Sequence, residues 1–513
     1  MSLFKQGISL NYHRIKPLHI FLIFLGVALF IRFPFFFRDY IDRDESTFIL
    51  MGQSWAEGHL PYTYLWDLKP PLAFLFFAAV ITVFGKSFIA IRLAGTIAIA
   101  ITSLFLYKIG DRLSGRKTGF WCGMLYVFLS SLFGNIQGVM TEHLSMLFSV
   151  PGFWLIVKAT GNRHLFFAGF LFGIAAMIKL NLAYPILFTG LGIIFFEYRD
   201  KGFASALKTG CYYGLGVIIP VLCTAVPYYL NGLLGIWWES VILAPLHYDT
   251  PDPANNINAF VDLLPFIFIT AVLILLNHKK KCFPKRCRNY TYILLSIFGV
   301  MFSFIQSGEV NSHYLIQLYP FLILPLAIIV SHFSWFNTVK ATPFIALTVM
   351  LLIQFEPLRE YYHVGNRVLD GKSPYNGEGI EVSEYIEKNI GDVRSVFFLE
   401  NHIGYWLTDE LPPTKSVTHP TNLNREQLYP FFDNPRLNSV EELKYICSEI
   451  SPELIITERG KIPFMKDNAA QNIYFRNILD SRYRLIKRIG EAEIYRLKPS
   501  MTMVPRPKLR TNN

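Results

Sequence analysis

The chain of 513 residues predicts a polytopic α-helical membrane protein carrying a small C-terminal α/β soluble domain. Three observations lead there. Residues are 52% hydrophobic and 16% aromatic but only 17% charged, whereas an ordinary soluble protein carries about 25% charged residues. Nearly all the long apolar runs fall between residues 1 and 355, and many approach the length a helix needs to cross a bilayer. From Glu356 onward the composition is that of a water-soluble domain. The expected division is therefore a transmembrane domain over 1–355 and a C-terminal domain over 356–513.

The first apolar run, 17–37, is too long for a removable signal peptide and lacks a small-residue cleavage site. Further expected spans are 88–108, 119–137, 143–158, 165–179, 182–197, 209–230, 259–277, 290–306, 314–331 and 341–355. The stretch 71–84 is shorter than the ~20 residues of a crossing helix and reads as a helix lying at the interface. Counting it as a span would invert every later loop. Leaving it out places Arg112, Arg116, Lys117, Lys158, Arg163, Arg199, Lys201, Lys279–Lys281 and Lys340 in the cytoplasm, as the positive-inside rule asks. The expectation is eleven spans, a cytoplasmic N-terminus and an extracytoplasmic C-terminal domain. The polar stretches 38–70, Thr141–His143, 231–258 and Gln306–His313 then share the outer side.

The net charge of +11 is gathered at membrane flanks: Lys5, Arg14 and Lys16 before the first span, and Lys279, Lys280, Lys281, Lys285, Arg286 and Arg288 in one loop. Such clusters orient a membrane protein, and nucleic acid is not an expected partner. Cys122, Cys211 and Cys223 lie in apolar segments and read as packing residues. Cys282 and Cys287 flank the basic loop and Cys447 stands alone, so neither a zinc site nor a disulfide framework is expected.

In the C-terminal part, Val382–Asn389 has helical spacing, while Ser395–Leu399 and Leu454–Ile456 read as strands. Ser439–Ile450 reads as a helix with Ser439 as N-cap and Glu442 three positions on. The tail Pro505–Asn513 is basic and expected to be loose.

Ionisable groups beside a bilayer are costly to keep, and function is the usual reason for them. Asp42-Arg43-Asp44-Glu45 follows the first span directly. Adjacent helical residues diverge by roughly 100°, so one acid should face a site, Asp44, while Glu45 turns toward the structure or a cation. Trp66-Asp67-Leu68-Lys69-Pro70-Pro71 leads into the interfacial helix, and the two prolines hold Lys69 at headgroup level, where an ammonium binds a phosphate as a point charge. Glu142 is either a helix cap or a second active-site carboxylate, and His143 is more often packing than a ligand. Arg92, inside the second span, should pair with an acid or a phosphate. Lys179, at a helix end, reads as a snorkelling lysine. His313-Tyr314 with Gln317 one helical turn on completes the set.

Together, Asp44-Glu45, Asp67-Leu68-Lys69-Pro70-Pro71-Leu72, Arg92, Asp111–Arg116, Thr141-Glu142 and His313–Pro320 resemble the GT-C class of membrane glycosyltransferases. Within it they are similar to the family 39 branch of protein O-mannosyltransferases and lipid A aminoarabinose transferases. The resemblance implies a GT-C fold, a polyprenyl-phosphate-linked sugar as donor, and inverting transfer on the non-cytoplasmic face to a lipid, glycan or protein acceptor. In a bacterium that membrane would be the inner one. It implies Asp44 as the base that deprotonates the acceptor, Lys69 and Arg92 on the lipid phosphate, Glu142 near the acceptor or as a second acid, and His313 near the donor phosphate. Glu45, Asp67, His143, Tyr314 and Gln317 would complete the substrate-binding set. Some aminoarabinose transferases carry a metal-associated Glu before the lysine; Leu68 stands there, so no metal or other cofactor is expected. The His-Pro-Pro form of the mannosyltransferase motif is also absent, which leaves the acceptor open. The alternative is a transporter or flippase for a lipid-linked glycan, but transporters gather their charges at mid-bilayer and these gather at one face.

Overall fold

The computed structural model describes residues 16–39, 41–131, 134–248, 253–283, 287–333, 355–461, 463–464 and 469–499. Among the described residues before 355, the longer helices are α1 (Pro17–Arg32), α2 (Arg43–Ala56), α3 (Pro71–Phe84), α4 (Phe88–Ser114), α5 (Arg116–Leu129), α6 (Thr141–Lys158), α7 (Asn162–Ala176), α8 (Ala183–Lys201), α9 (Phe203–Leu230), α10 (Pro253–Lys280), α11 (Arg288–Ser307) and α12 (Tyr319–Ser331). Short helical turns join several of them.

A helix stands at each of the ten expected spans between 17 and 331. Among the described residues, six helical segments are long and apolar enough to cross a membrane: 17–37, 88–114, 180–201, 203–230, 255–280 and 288–307. The remaining expected span, 341–355, lies almost entirely outside the described residues, as do Lys5, Arg14, Lys285, Arg286, Lys340 and the tail Pro505–Asn513. Helix α3 is about 21 Å long at 1.5 Å per residue. It packs along α2 rather than joining the bundle as a full-length member.

Local chemistry sets the ends. Ser87 caps α4 by accepting the amide of Ala90, and Pro70-Pro71 start α3 with no amide to satisfy. The expected Asp111–Lys117 loop is much shorter than its charge run suggested. Helix α4 continues through Asp111 and Arg112, Gly115 turns at φ +93°, and α5 begins at Arg116. Helices α7 and α9 touch backbone to backbone, because Gly169, Gly173 and Gly216 have no Cβ to hold them apart. Cys211 and Cys223 on α9 are exposed rather than packed, and α10 presents Phe260, Leu264, Phe268 and Leu275 outward. In a bilayer those faces meet lipid.

After α13 (Phe355–Leu369) and α14 (Glu378–Asn389), the chain builds a four-stranded sheet from β1 (Val396–Phe398), β2 (Leu454–Glu458), β3 (Tyr483–Ile489) and β4 (Ala492–Leu497). The order is β1-β2-β4-β3, with β1 and β2 parallel and the other pairs antiparallel. Helix α15 (Ala469–Arg482) leads directly into β3. The helix near residue 440 is capped by Asn438, whose side chain accepts the Glu441 amide at 3.0 Å. Ser439 is its first helical residue, not its cap, and Glu442 is drawn to Arg436.

This C-terminal region seats on the loop between α1 and α3. The Asp39 carboxylate accepts the amides of Gly379 and Ile380 at the start of α14. Arg38 and Trp66 form backbone bridges to Asn376 and Ser416. Arg43 pairs with Glu400 at 2.9 Å, and the Trp406 indole donates to Gln53 at 3.1 Å.

Candidate functional site

Asp42 opens α2 by accepting the amide of Asp44 at 2.8 Å. That fixes the first helical turn, and the next two acids point apart. Glu45 is fully buried against Arg92, 2.8 Å away. Its other oxygen accepts the Val139 amide at 2.8 Å. Arg92 also donates to the carbonyls of Phe35 and Arg38. The pair is thus enclosed, and neither member has a face toward a substrate. A second buried arginine supports it. Arg32 donates to the carbonyls of Ile136, Gln137 and Gly138 at 2.7–2.8 Å. This brings Gly138 so close that a Cβ there would lie 3.0 Å from the Glu45 carboxylate.

Asp44 faces the other way. Its carboxylate lies 3.6 Å from the Lys69 ammonium, and the two side chains keep 30% and 19% exposure. Burial alone would raise Asp44. The charge of Lys69, then of His313 and Lys179, outweighs it and holds the carboxyl at about 2. Asp42 moves oppositely, pushed up to about 7 by burial and then by the charge of Asp44. Lys69 is held above its ordinary value: burial opposes its charge, but Asp44 and Asp67 favour it more.

The turn carrying Lys69 is locked. Its amide donates to Asp67 at 3.2 Å and its carbonyl accepts from Tyr62 at 2.6 Å. Asp67 is buried and also accepts from Thr418 at 3.3 Å. It shapes the loop and joins it to the C-terminal region.

Glu142 enters from the first turn of α6 and meets Lys179 at 2.7 Å. Lys179 is therefore not snorkelling: it is buried, salt-bridged and 4.3 Å from the Tyr314 ring centroid. His143 caps α6. Its Nδ1 accepts the Met140 amide at 3.3 Å and its Nε2 lies 3.0 Å from the Ser130 carbonyl, so both ring nitrogens are occupied.

His313 is buried, edge-on to Tyr314, with neither nitrogen hydrogen-bonded. Burial lowers its pKa, against the pull of Glu142 and Asp44. Gln317 does not lie on the His313 face. Residues Ser312–Gln317 form a 3₁₀ helix, and the α-helix starts only at Tyr319. In a 3₁₀ turn residues i and i+3 eclipse, so Gln317 is rotated by about 120° from His313. It is fully buried with its amide unpartnered.

Five connections thus place Asp44, Lys69, Glu142, Lys179, His313 and Tyr314 in one charged cluster at one end of the bundle. Glu309 belongs to it as well, and Arg425 of the C-terminal region donates to Glu309 at 3.3 Å. Arg425 had no motif to mark it in the sequence; it arrives through folding.

A model of the dolichyl-phosphate-mannose-protein mannosyltransferase family matches residues 68–228. Among solved structures, that of ArnT from Cupriavidus metallidurans bound to undecaprenyl phosphate is similar over 94% of this chain and 99% of that one, with a TM-score of 0.62 at 12% identity. Its apo form gives 0.60 at 11% identity with the same coverage. The chain has the GT-C fold. With its apolar helices, this makes it an integral membrane protein. No curated protein sequence matches it significantly. The family match begins beside Lys69 and ends within α9, so it takes in Arg92, Glu142 and Lys179 but not Asp44 or His313.

Proposed function

We propose that the protein is a glycosyltransferase that moves a hexosyl or pentosyl group from a polyprenyl phosphate to a lipid, glycan or protein hydroxyl on the extracytoplasmic face, with inversion. The observation that carries this reading is the cluster of Asp44, Lys69, Glu142, Lys179 and His313, partly open to water, at the helix ends of a GT-C bundle. The undecaprenyl phosphate held by the similar Cupriavidus protein supports the donor class.

Lys69 holds the donor phosphate. Its resting pair with Asp44 is long, at 3.6 Å, and a phosphate claiming the ammonium weakens it. Asp44 then loses the charge that keeps its pKa low, and its carboxylate becomes a better base. It takes the acceptor hydroxyl proton as the oxygen attacks the anomeric carbon. The bond from that carbon to the phosphate oxygen breaks, its electron pair stays on the phosphate, and Lys69 neutralises the added charge. Glu142, steered by Lys179, lines the acceptor side, and the unpartnered His313 nitrogens are free to meet the donor. Glu45 and Arg92 act at one remove, by fixing the helix that bears Asp44.

The test is incubation of purified protein with labelled polyprenyl-phosphate sugars and membrane extract, comparing wild type with Asp44→Asn. Loss of about 10²–10⁴-fold in turnover is expected for removal of a general base. Equal turnover by both proteins removes Asp44 from the chemistry.

A further inference from the structure

Arg425 is the one cation among the described residues of this cluster that comes from the C-terminal region. It directly precedes the 3₁₀ helix Glu426–Phe432. Its guanidinium carbon lies 3.6 Å from the Tyr248 ring centroid, and Nη2 donates to Glu309 at 3.3 Å. The platform is braced by the same segment: Gln427 donates to the Tyr248 carbonyl at 2.9 Å, and Phe431 packs on His247 with ring centroids 5.1 Å apart. Nη1 is buried and has no hydrogen-bond partner. A guanidinium nitrogen left so is costly unless an anion completes it. Burial works against the charge of Arg425, and Asp44 and then Asp67, which also favour the charge of Lys69, pull the other way. An arginine fork suits a phosphate, offering paired donors where a lysine offers a point charge.

We propose that Arg425 is a second ligand of the donor phosphate, presented to the site by the C-terminal region: Nη1 donates to one phosphate oxygen while Lys69 holds another. This rests on the polyprenyl-phosphate reading above. The leaving phosphate gains one negative charge as the sugar departs, so a fixed guanidinium serves the transition state more than the ground state.

Full-length protein in nanodiscs is titrated with undecaprenyl phosphate and, separately, with undecaprenol, which has the same chain and no phosphate. Wild type is expected to prefer the phosphate. Arg425→Gln should weaken undecaprenyl phosphate by about tenfold, the scale of one charge-assisted hydrogen bond, and leave undecaprenol unchanged. Arg425→Lys should recover part of the loss. Arg425→Gln binding the phosphate as tightly as wild type overturns the proposal, and so does an equal loss for both lipids, which marks a packing role. A wild type indifferent to the phosphate overturns the donor reading itself, and this inference with it.

Discussion

Helix α2 carries two acid–base pairs one residue apart, and they are opposites. Glu45–Arg92 is short, bonded to backbone on both sides and sealed, with 2% and 0% side-chain exposure. Asp44–Lys69 is long and partly wet, at 3.6 Å with 30% and 19%. Both are acid–cation pairs and their acids are neighbours in the first turn of one helix, so neither charge type nor place along the chain separates them. What does is the number of fixed partners: each guanidinium nitrogen and carboxylate oxygen of the first pair is bonded, whereas the second pair has capacity left for a ligand.

Breaking the sealed pair should have the largest effect. Glu45→Ala leaves Arg92 buried without its counter-charge and should cost about 3–5 kcal/mol, read as an earlier thermal midpoint in detergent. Replacing both by leucine should restore only part of that stability, because the Val139 amide and the Phe35 and Arg38 carbonyls lose their partners. Asp44→Asn should do the reverse, with stability changed by no more than about 1 kcal/mol and turnover lost. If Asp44→Asn unfolds the protein and Glu45→Ala does not, the contrast is wrong.

The pH response sharpens it. Asp44 is held at about 2, so its pairing stabilises the fold above the unfolded value of ~3.9 and is lost as pH falls through about 2. Lys69→Gln should move that loss to higher pH. Asp42 runs the other way: raised to about 7, it keeps in the fold a proton that the unfolded chain releases above ~3.9. Its contribution therefore falls as pH rises from ~4 through about 7. Asp42→Asn, which retains an N-cap side chain, should exceed wild type in thermal midpoint at pH 8 and match it at pH 4. The smallest effect belongs to a distant control: Asn438→Ala should cost about 1 kcal/mol of local helix stability and leave turnover unchanged.

The bundle was largely legible in the sequence because apolar length and basic flanks report on each helix separately. Asp44 and Lys69 were legible for the same local reason, standing between an apolar run and a Pro-Pro turn. What was hidden depends on partners far along the chain. Lys179 reads as a snorkelling cation until Glu142 and Tyr314 are placed beside it. Arg32 sits within an apolar run, and its carbonyl partners lie about a hundred residues away. His143 takes the reach-back role that a Glu or Gln holds in a capping box, which no local pattern announced. The β3–β4 hairpin leaves little trace in the sequence because the burial of β3 does not alternate cleanly.

The bridges from Arg38 and Trp66 to Asn376 and Ser416, and the grip of Asp39 on the start of α14, have a consequence for biogenesis. The ribosome makes Asp39 and Asp67 within the first seventy residues, yet their partners Gly379 and Thr418 emerge more than three hundred residues later. A nascent chain can insert its helices and still lack a finished reaction centre. On the proposed function, activity would be the last property the polypeptide acquires, and products truncated during synthesis would be inserted but inert.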